Sequence, residues 1–563
     1  MYNYFVKKYY ANAMFLKFKF QIFKKKKINF HTKLFVKMRK FFVLFSITLV
    51  TIIAVLSVIN LKFLFLLFIF VPLIILGIYD MLQTEKTIRR NFPLLGRIRY
   101  VLEALGPGVR QYFIETDLEG KPFNRQQRSL VYQRSKKQTD SNPFGTQLNV
   151  YDEGYEWINH SINAISFKEV DQNPRIKIGS AQCEKPYLAS MFNISAMSFG
   201  SLSSNAILAL NNGAKQGGFY HNTGEGGLSP YHLQGGDVVW NIGTGYFSCR
   251  NDDGTFNNDE FIKRATLDAI KMIEIKFSQG AKPGHGGILP KEKVTDEIAA
   301  IRLVIKGQDI LSPAKHTAFT TPLELMDFIQ LLRKGSGGKP IGMKICIGNK
   351  SEFLSICKAM IATKTYLDFI TVDGGEGGTG AAPQEYSDHV GMPLRDALAF
   401  VYDALKGFGI KDDIKIICSG KIITGFDIIK NLSIGADLCN SARGMMFALG
   451  CIQALECHSN TCPTGVATQN PKLTKGLVPQ EKSIRVARYH HETLKSAMEL
   501  MASAGISHPD NVGRDVVSTR LDRTHIATFE EVYPELEIGC LLHESTVPSN
   551  YLTSWKKASL DKF

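Results

Sequence analysis

Three cysteines, Cys451, Cys457 and Cys462, stand six and five residues apart, and the small-residue turn Ser441-Ala442-Arg443-Gly444 lies just before them. The two features ask for different partners. Thiolates spaced along one stretch are ligands of the kind that hold iron–sulfur clusters, whereas small residues beside an arginine make a phosphate cradle. Together they point to redox chemistry. A helix of about 3.6 residues per turn would put Cys451 and Cys457 on different sides. Convergence of the thiols therefore requires a bend, which the run His458-Ser459-Asn460-Thr461-Cys462-Pro463 offers. Cysteine is also a common buried residue, and spacing alone leaves a plain packing role equally open.

Four more segments bring backbone and small side chains together: Ser195-Ala196-Met197-Ser198, the run from Gln279 to Gly284, Asp373 to Gly380 (with Gly377, Gly378, Thr379 and Gly380), and Ser419-Gly420-Lys421. Glycines let N–H groups approach an anion closely. The 373–380 run is not a dinucleotide fingerprint, because no helix opens cleanly after it and no acidic residue ends a following strand at the required distance. Tight turns explain one such loop readily and five poorly. Lys282 and Lys344 follow or end predicted strands, where a cation faces a flavin ring or a substrate carboxylate. Solvent is the ordinary place for lysine, and Lys344, inside an apolar run, departs from that more clearly. Glu225, in Asn222-Thr223-Gly224-Glu225-Gly226-Gly227, either orients an amine or ammonia or is a simple turn carboxylate.

These loops need a scaffold. From about residue 188 short apolar runs, glycine-rich turns and amphipathic segments alternate. Strands are predicted over 188–193, 219–222, 273–277, 309–311, 341–347, 367–372, 414–418 and 437–440, with helices over 295–305, 322–334, 351–362, 393–405 and 425–432. Eight such repeats predict an α/β fold of the (β/α)8 barrel type, with an insertion around 229–262. A doubly wound sheet alternates similarly, and periodicity alone does not choose. The unusual loops follow the strands, on the face where barrels build active sites. Ser419-Gly420 and Arg443-Gly444, on the last two strands, suit the phosphate site that barrels form there.

The net charge of +15 is concentrated. Residues 1–40 hold eleven Lys, one Arg and no acid, so +12 lies in this tail. The near-neutral remainder argues against a nucleic-acid binder; the tail suits anionic lipid or a disordered leader. Two nearly unbroken apolar runs follow, 41–59 and 63–78, each about long enough to cross a bilayer. A buried hairpin of a soluble protein is the plainer alternative. Basic residues flank both outer ends, including Lys86, Arg89, Arg90, Arg97 and Arg99, which places both ends in the cytoplasm and the chain in the inner membrane as a two-helix anchor. Ten cysteines in a cytoplasmic body of this size are expected to stay reduced. The expected division is a basic tail (1–40), two transmembrane helices (41–79), a connecting subdomain without nameable chemistry (80–185), the barrel (186–475) and a helical, then irregular, extension (476–563).

The stretch from about 190 to 475 resembles the FMN-binding synthase domain of glutamate synthase. The resemblance rests on SAMSFGSLS at 195–203, NTGEGG at 222–227, QGAKPG at 279–284, GGTGAAP at 377–383 and CHSNTCPTGVATQ at 457–469. It implies a (β/α)8 barrel holding FMN, with Cys451, Cys457 and Cys462 as ligands of a 3Fe-4S cluster. It further implies reduction of the imine formed from 2-oxoglutarate and ammonia. Gln279, Lys282 and Lys344 would contact flavin or keto acid, Met197 and Ser198 would lie on the flavin, and Glu225 would lie near incoming ammonia. The sequence departs from the family pattern at His285 and Ile288, where Glu and Gln are usual, at 375–382, and at 312–317. No glutaminase domain precedes the barrel and no nicotinamide domain is visible, so ammonia arrives free or from a partner, and electrons come from an unidentified donor such as a reductase subunit or ferredoxin. The alternatives are an FMN barrel acting on another keto or hydroxy acid, and a membrane-anchored electron-transfer subunit.

Overall fold

The computed structural model describes residues 38–563, so the basic tail up to residue 37 lies outside the described residues. The chain divides into two compact units, Met1–Gly120 and Lys121–Phe563.

In the first unit, helix α1 (Met38–Ile59) is followed by a 3-10 turn (Leu61–Leu66) that runs into α2 (Leu67–Leu82). Asn60 breaks the first helix by accepting the Lys62 N–H on its side chain, at 3.0 Å. The two segments, 22 residues each, are long and apolar enough to cross a membrane. They touch where a Cβ on Gly77 would fall 2.1 Å from the Phe42 ring, so any larger residue there must displace that ring. A short helical turn (Thr87–Asn91) and a further helix, α3 (Leu95–Val109), follow.

The second unit contains a closed eight-stranded parallel barrel. In chain order the strands are β1 (Phe192–Ile194), β2 (His221–Asn222), β3 (Val238–Ile242), β4 (Ile270–Lys276), β5 (Ile341–Ile345), β6 (Phe369–Asp373), β7 (Lys415–Ser419) and β8 (Leu438–Ser441). β8 pairs with β1 in parallel, with Ser441 opposite Ile194, and this closes the ring. Strands covered on both faces read as continuous apolar runs rather than alternating ones, and β3 and β6 are buried at every position. A polar layer crosses the interior. Glu274 of β4 accepts hydrogen bonds from Asn222 (2.8 Å), Asn241 (2.5 Å) and Thr371 (2.6 Å), so both carboxylate oxygens are satisfied. The helices between strands begin at sequence-coded caps. Ser203 caps 204–217, and Thr321-Pro322 with Glu324 and Thr424 with Asp427 form capping boxes.

Two strand expectations are corrected. The segment expected as a strand over 309–311 lies outside the barrel; Ile310–Leu311 pairs antiparallel with Ile288–Leu289 in a small hairpin. The strand that takes its place is β3, inside the stretch read as an insertion. The predicted strand over 188–193 is also two elements. Tyr187–Ser190 pairs with Arg175–Ile178, and the chain then turns into β1.

The barrel is dressed by both flanking stretches of sequence. Glu156–Ile158 pairs antiparallel with Val517–Arg520, which in turn pairs with Ile526–Thr528. The short helix α4 (Arg443–Leu449) leads from β8 into the cysteine segment, and the long helix α5 (Pro479–Ser503) packs against the helix over 204–217.

Candidate active site

Loops at the carboxyl ends of the barrel strands surround a cavity of about 820 Å³, within the range of ligand sites. Every residue expected from the sequence to act in catalysis or hold a cofactor borders it. The loop after β1 contributes Ala196, Met197 and Ser198, the loop after β2 Glu225, and the loop after β4 Gln279 and Lys282. Lys344 reaches it from β5, and Gly377, Gly378, Thr379 and Gly380 follow β6. Ser419, Gly420 and Lys421 end β7, Ala442, Arg443 and Gly444 follow β8, and Cys451, Cys457 and Cys462 lie on the wall beyond α4.

Asp373 organises one side. Its carboxylate accepts from the Gly280 N–H at 2.7 Å and from the Ser419 hydroxyl, and it pairs with the Lys344 ammonium at 3.4 Å. One carboxylate thereby ties together the ends of four strands. The turns around it are tight: a Cβ on Gly280 would sit 1.7 Å from the Gly374 carbonyl oxygen. Gln279 donates from its side-chain amide to the Thr379 hydroxyl at 3.1 Å, and the Lys282 ammonium donates to the Ala381 carbonyl at 2.8 Å. These bonds draw the loops after β4 and β6 across the cavity.

Two cations face one another on the β7–β8 side. Arg443 donates to the Glu376 carbonyl at 2.9 Å and stacks over the Phe123 ring at 4.7 Å. Burial pulls its guanidinium down to about 10, against the attraction of Asp373 and Glu376. Lys421 is lowered by burial and then by the like charge of Arg443. Mutually repelling cations beside glycine loops make a site for an anion. Gly378 belongs to it, since a Cβ there would press on Arg443 Nε at 2.9 Å. Phe123 is held in turn by Gln453, which accepts its N–H at 3.2 Å and donates to its carbonyl at 3.0 Å.

On the opposite side Glu225 forms an ion pair with Lys276, both largely buried. Burial raises the Glu225 carboxyl, but Lys276, Ser312 and Arg302 outweigh it and bring the group below the usual range. Arg302, pulled down to about 10 by burial, donates to the Phe199 carbonyl at 2.9 Å. Lys282 falls to about 8 through burial and the neighbouring Lys276 charge, partly offset by Glu225. His316 is structural: it bonds the Tyr246 hydroxyl at 3.0 Å and the Lys276 carbonyl at 2.9 Å. His285 packs edge-on against Tyr386.

The cysteine segment bends as its sequence requires, with Gln453, Leu455 and Asn460 at positive φ. All three thiols are free. Burial pushes Cys451 up to about 12, opposed by the Gln453 N–H, which lies 3.4 Å from its sulfur. Burial and then Cys462 raise Cys457, with Lys293 opposing. Burial also works against ionisation of Cys462, but the Thr464 hydroxyl and the N–H groups of Ala467, Thr464 and Val466 outweigh it and lower the thiol. Among the described residues no three or more His, Cys, Asp or Glu side chains form a set that could hold a metal ion. A single tetrahedral ion needs sulfurs about 4 Å apart, whereas a cluster brings its own bridging sulfides.

Several residues at the site escaped the sequence reading. Lys276 ends an apolar strand with a charge, a signal open to notice, and Asp373, which does the same, enters the sequence reading only as the start of a glycine run. Lys293, Arg302 and Phe123 carry no such signal.

Residues 124–507 match the conserved region in glutamate synthase. The glutamate synthase large subunit-like protein YerD of Bacillus subtilis is 38% identical over 507 residues, covering 82% of this chain and 96% of that protein. The archaeal glutamate synthase [NADPH] of Methanocaldococcus jannaschii is 36% identical over 316 residues, 56% of this chain and 59% of that protein. Among solved structures, a mandelate oxidase variant aligns with a TM-score of 0.40 and 12% identity, over 72% of this chain and 89% of that one.

Proposed function

The chain belongs to the glutamate synthase family of oxidoreductases, and we propose that it reductively aminates 2-oxoglutarate, or a closely related 2-oxo acid, using ammonia, with FMN and a 3Fe-4S cluster as resident cofactors. One observation carries the reading: a single cavity has a glycine-lined cationic side, a buried Glu225–Lys276 side and three reduced thiols on one continuous wall.

FMN fits the β7–β8 side by the chemistry of its residues. Arg443 and Lys421, which line the cavity, would neutralise the phosphate, Gly377 and Gly378 would leave room for it, and Lys344, Gln279, Met197 and Ser198 would face the ring. When bound, the flavin supplies hydride to the imine carbon. Cys451, Cys457 and Cys462 would hold the cluster, which supplies one-electron transfer. The Cys462 surroundings fit this role, because N–H and hydroxyl donors directed at sulfur stabilise its thiolate.

The remaining work falls to side chains. Lys282 binds a substrate carboxylate through charge. Glu225, kept ionised by Lys276, accepts hydrogen bonds from ammonia and orients it toward the keto carbon. The hairpin over 288–311 borders the cavity through Ile288 and Leu289 and excludes water from that side.

Two apolar helices with basic flanks support a membrane anchor with the catalytic body at the cytoplasmic face of the inner membrane. The electron donor is a separate protein or a small reductant. The deciding experiment is an anaerobic assay with chemically reduced viologen, ammonia and 2-oxoglutarate. Glutamate is the expected product. Amination of another 2-oxo acid alone would redirect the specificity, and no turnover with flavin and iron in place would leave an electron-transfer subunit.

A further inference from the structure

The segment joining the apolar hairpin to the catalytic body carries a helix whose apolar side is largely exposed among the described residues. In α3, Leu95, Ile98, Val101, Leu102, Leu105 and Val109 fall within an arc of about 120° at the helical repeat. They are open to solvent, Leu102 by 62% and Leu105 by 57%. A helix of this length is marginal in water without a surface to pack on.

The start of α3 is fixed to the end of α2. The Arg97 guanidinium donates two hydrogen bonds of 2.8 Å to the fully buried Asp80 carboxylate, which also accepts the Leu94 N–H at 3.3 Å. Gly96 allows the close approach, since a Cβ there would lie 2.8 Å from the Ile88 carbonyl oxygen. Asp80 lies in the last turn of a helix long enough to cross a bilayer, so α3 begins where that bilayer would end. Residues 80–110 hold six Lys and Arg against three Asp and Glu. Lys86 and Arg89 lie over the Tyr100 ring at 4.8 and 4.7 Å, and Arg97 and Arg99 stand at the two edges of the apolar arc.

We propose that α3 is an interfacial helix that seats its Leu95–Val109 apolar face in the anionic leaflet from which α2 emerges. The proposal rests on the membrane-anchor reading. An apolar stripe bordered by arginines matches the boundary between acyl chains and anionic headgroups. A soluble partner would match the stripe but not its continuity with a spanning helix or the surrounding cationic excess.

Tryptophan depth in the full chain tests this, because the three native Trp residues can be subtracted by difference. Leu102→Trp, Glu103→Trp and Val55→Trp are reconstituted in vesicles of phosphatidylcholine and phosphatidylglycerol, with and without brominated acyl chains. Far-ultraviolet circular dichroism verifies that each variant is folded. The added emission of Leu102→Trp should be largely quenched by brominated lipid and shielded from aqueous iodide, with Glu103→Trp showing the reverse. Val55, exposed on α1, reports the spanning helix. Quenching of Val55→Trp by lipid with Leu102→Trp open to iodide overturns the interfacial helix and leaves the anchor standing. A Leu102→Trp shielded from both quenchers means that protein covers α3, which also overturns it. A Val55→Trp untouched by brominated lipid removes the anchor, and the interfacial helix with it.

Discussion

The ammonium of Lys293 donates to the backbone carbonyl of Cys457 at 2.7 Å, and the same group donates to Ala467 at 2.9 Å and Ser201 at 3.1 Å. One buried cation thus ties the cysteine segment to the loop after β1. Burial lowers it to about 8, while proximity to Cys457 and Cys462 favours its charge. Lys293→Met leaves buried carbonyls without their donor, at a cost of about 1–3 kcal/mol for each that finds no other. The variant should melt at a lower temperature and hold less iron than wild type. Unchanged melting and iron content would show that the cysteine segment stands without Lys293.

The thiols themselves are separable from the other cysteines. Replacing Cys451, Cys457 or Cys462 singly by Ser should bleach the iron–sulfur absorption and release iron. Cys357 is fully buried in a helix and faces none of the cavity. Its Ser variant should keep the cluster with a packing loss of about 1–3 kcal/mol. Iron analysis and electron paramagnetic resonance on anaerobically purified protein distinguish the outcomes.

Arg443→Glu puts a negative charge where a phosphate is proposed to bind and should yield protein almost free of flavin. Gly378→Ala is the finer probe. Its Cβ would press on Arg443 Nε, so flavin occupancy should fall partway while the fold persists. Full occupancy in both variants would move the phosphate elsewhere in the cavity.

The Lys282 ammonium, held near 8 by burial and by Lys276, is protonated below that value and neutral above it. Its attraction for a carboxylate is therefore present below about pH 8 and lost as the pH rises. KM for the 2-oxo acid should climb through this window with a smaller change in kcat. Lys282→Met should raise KM at neutral pH and flatten its rise. A wild-type KM that stays level to pH 9 (about one unit beyond the shifted value) would assign carboxylate binding to another cation.

Much of the site was legible because glycine loops and charged residues at strand ends are local signals. Lys344 and Arg443 could be placed at strand ends from their neighbours in sequence, whereas Glu225 read equally as a turn carboxylate. Strand β3 was not legible as a barrel strand: Val238–Ile242 is buried throughout and lies between glycine turns, so no alternation marks it. The two-residue strand Ile310–Leu311 posed the opposite problem, since an apolar pair fits a barrel strand and a hairpin equally. Lys293 sits in Lys291-Glu292-Lys293, which reads as a solvated turn, and only tertiary packing buries it. Phe123 reaches Arg443 from a stretch far away in sequence, where no motif marks it.

The pairing of Glu156–Ile158 with Val517–Arg520 also sets a sequence of events during synthesis. A strand made early waits for a partner made some 360 residues later, as their numbering shows. Most of the polypeptide must leave the ribosome before the body can close, whereas the apolar helices emerge near the start. At about 5–20 residues per second, translation leaves the hairpin tens of seconds in which to engage its own surroundings. The sheet that flanks the barrel then closes on a chain whose apolar helices left the ribosome long before.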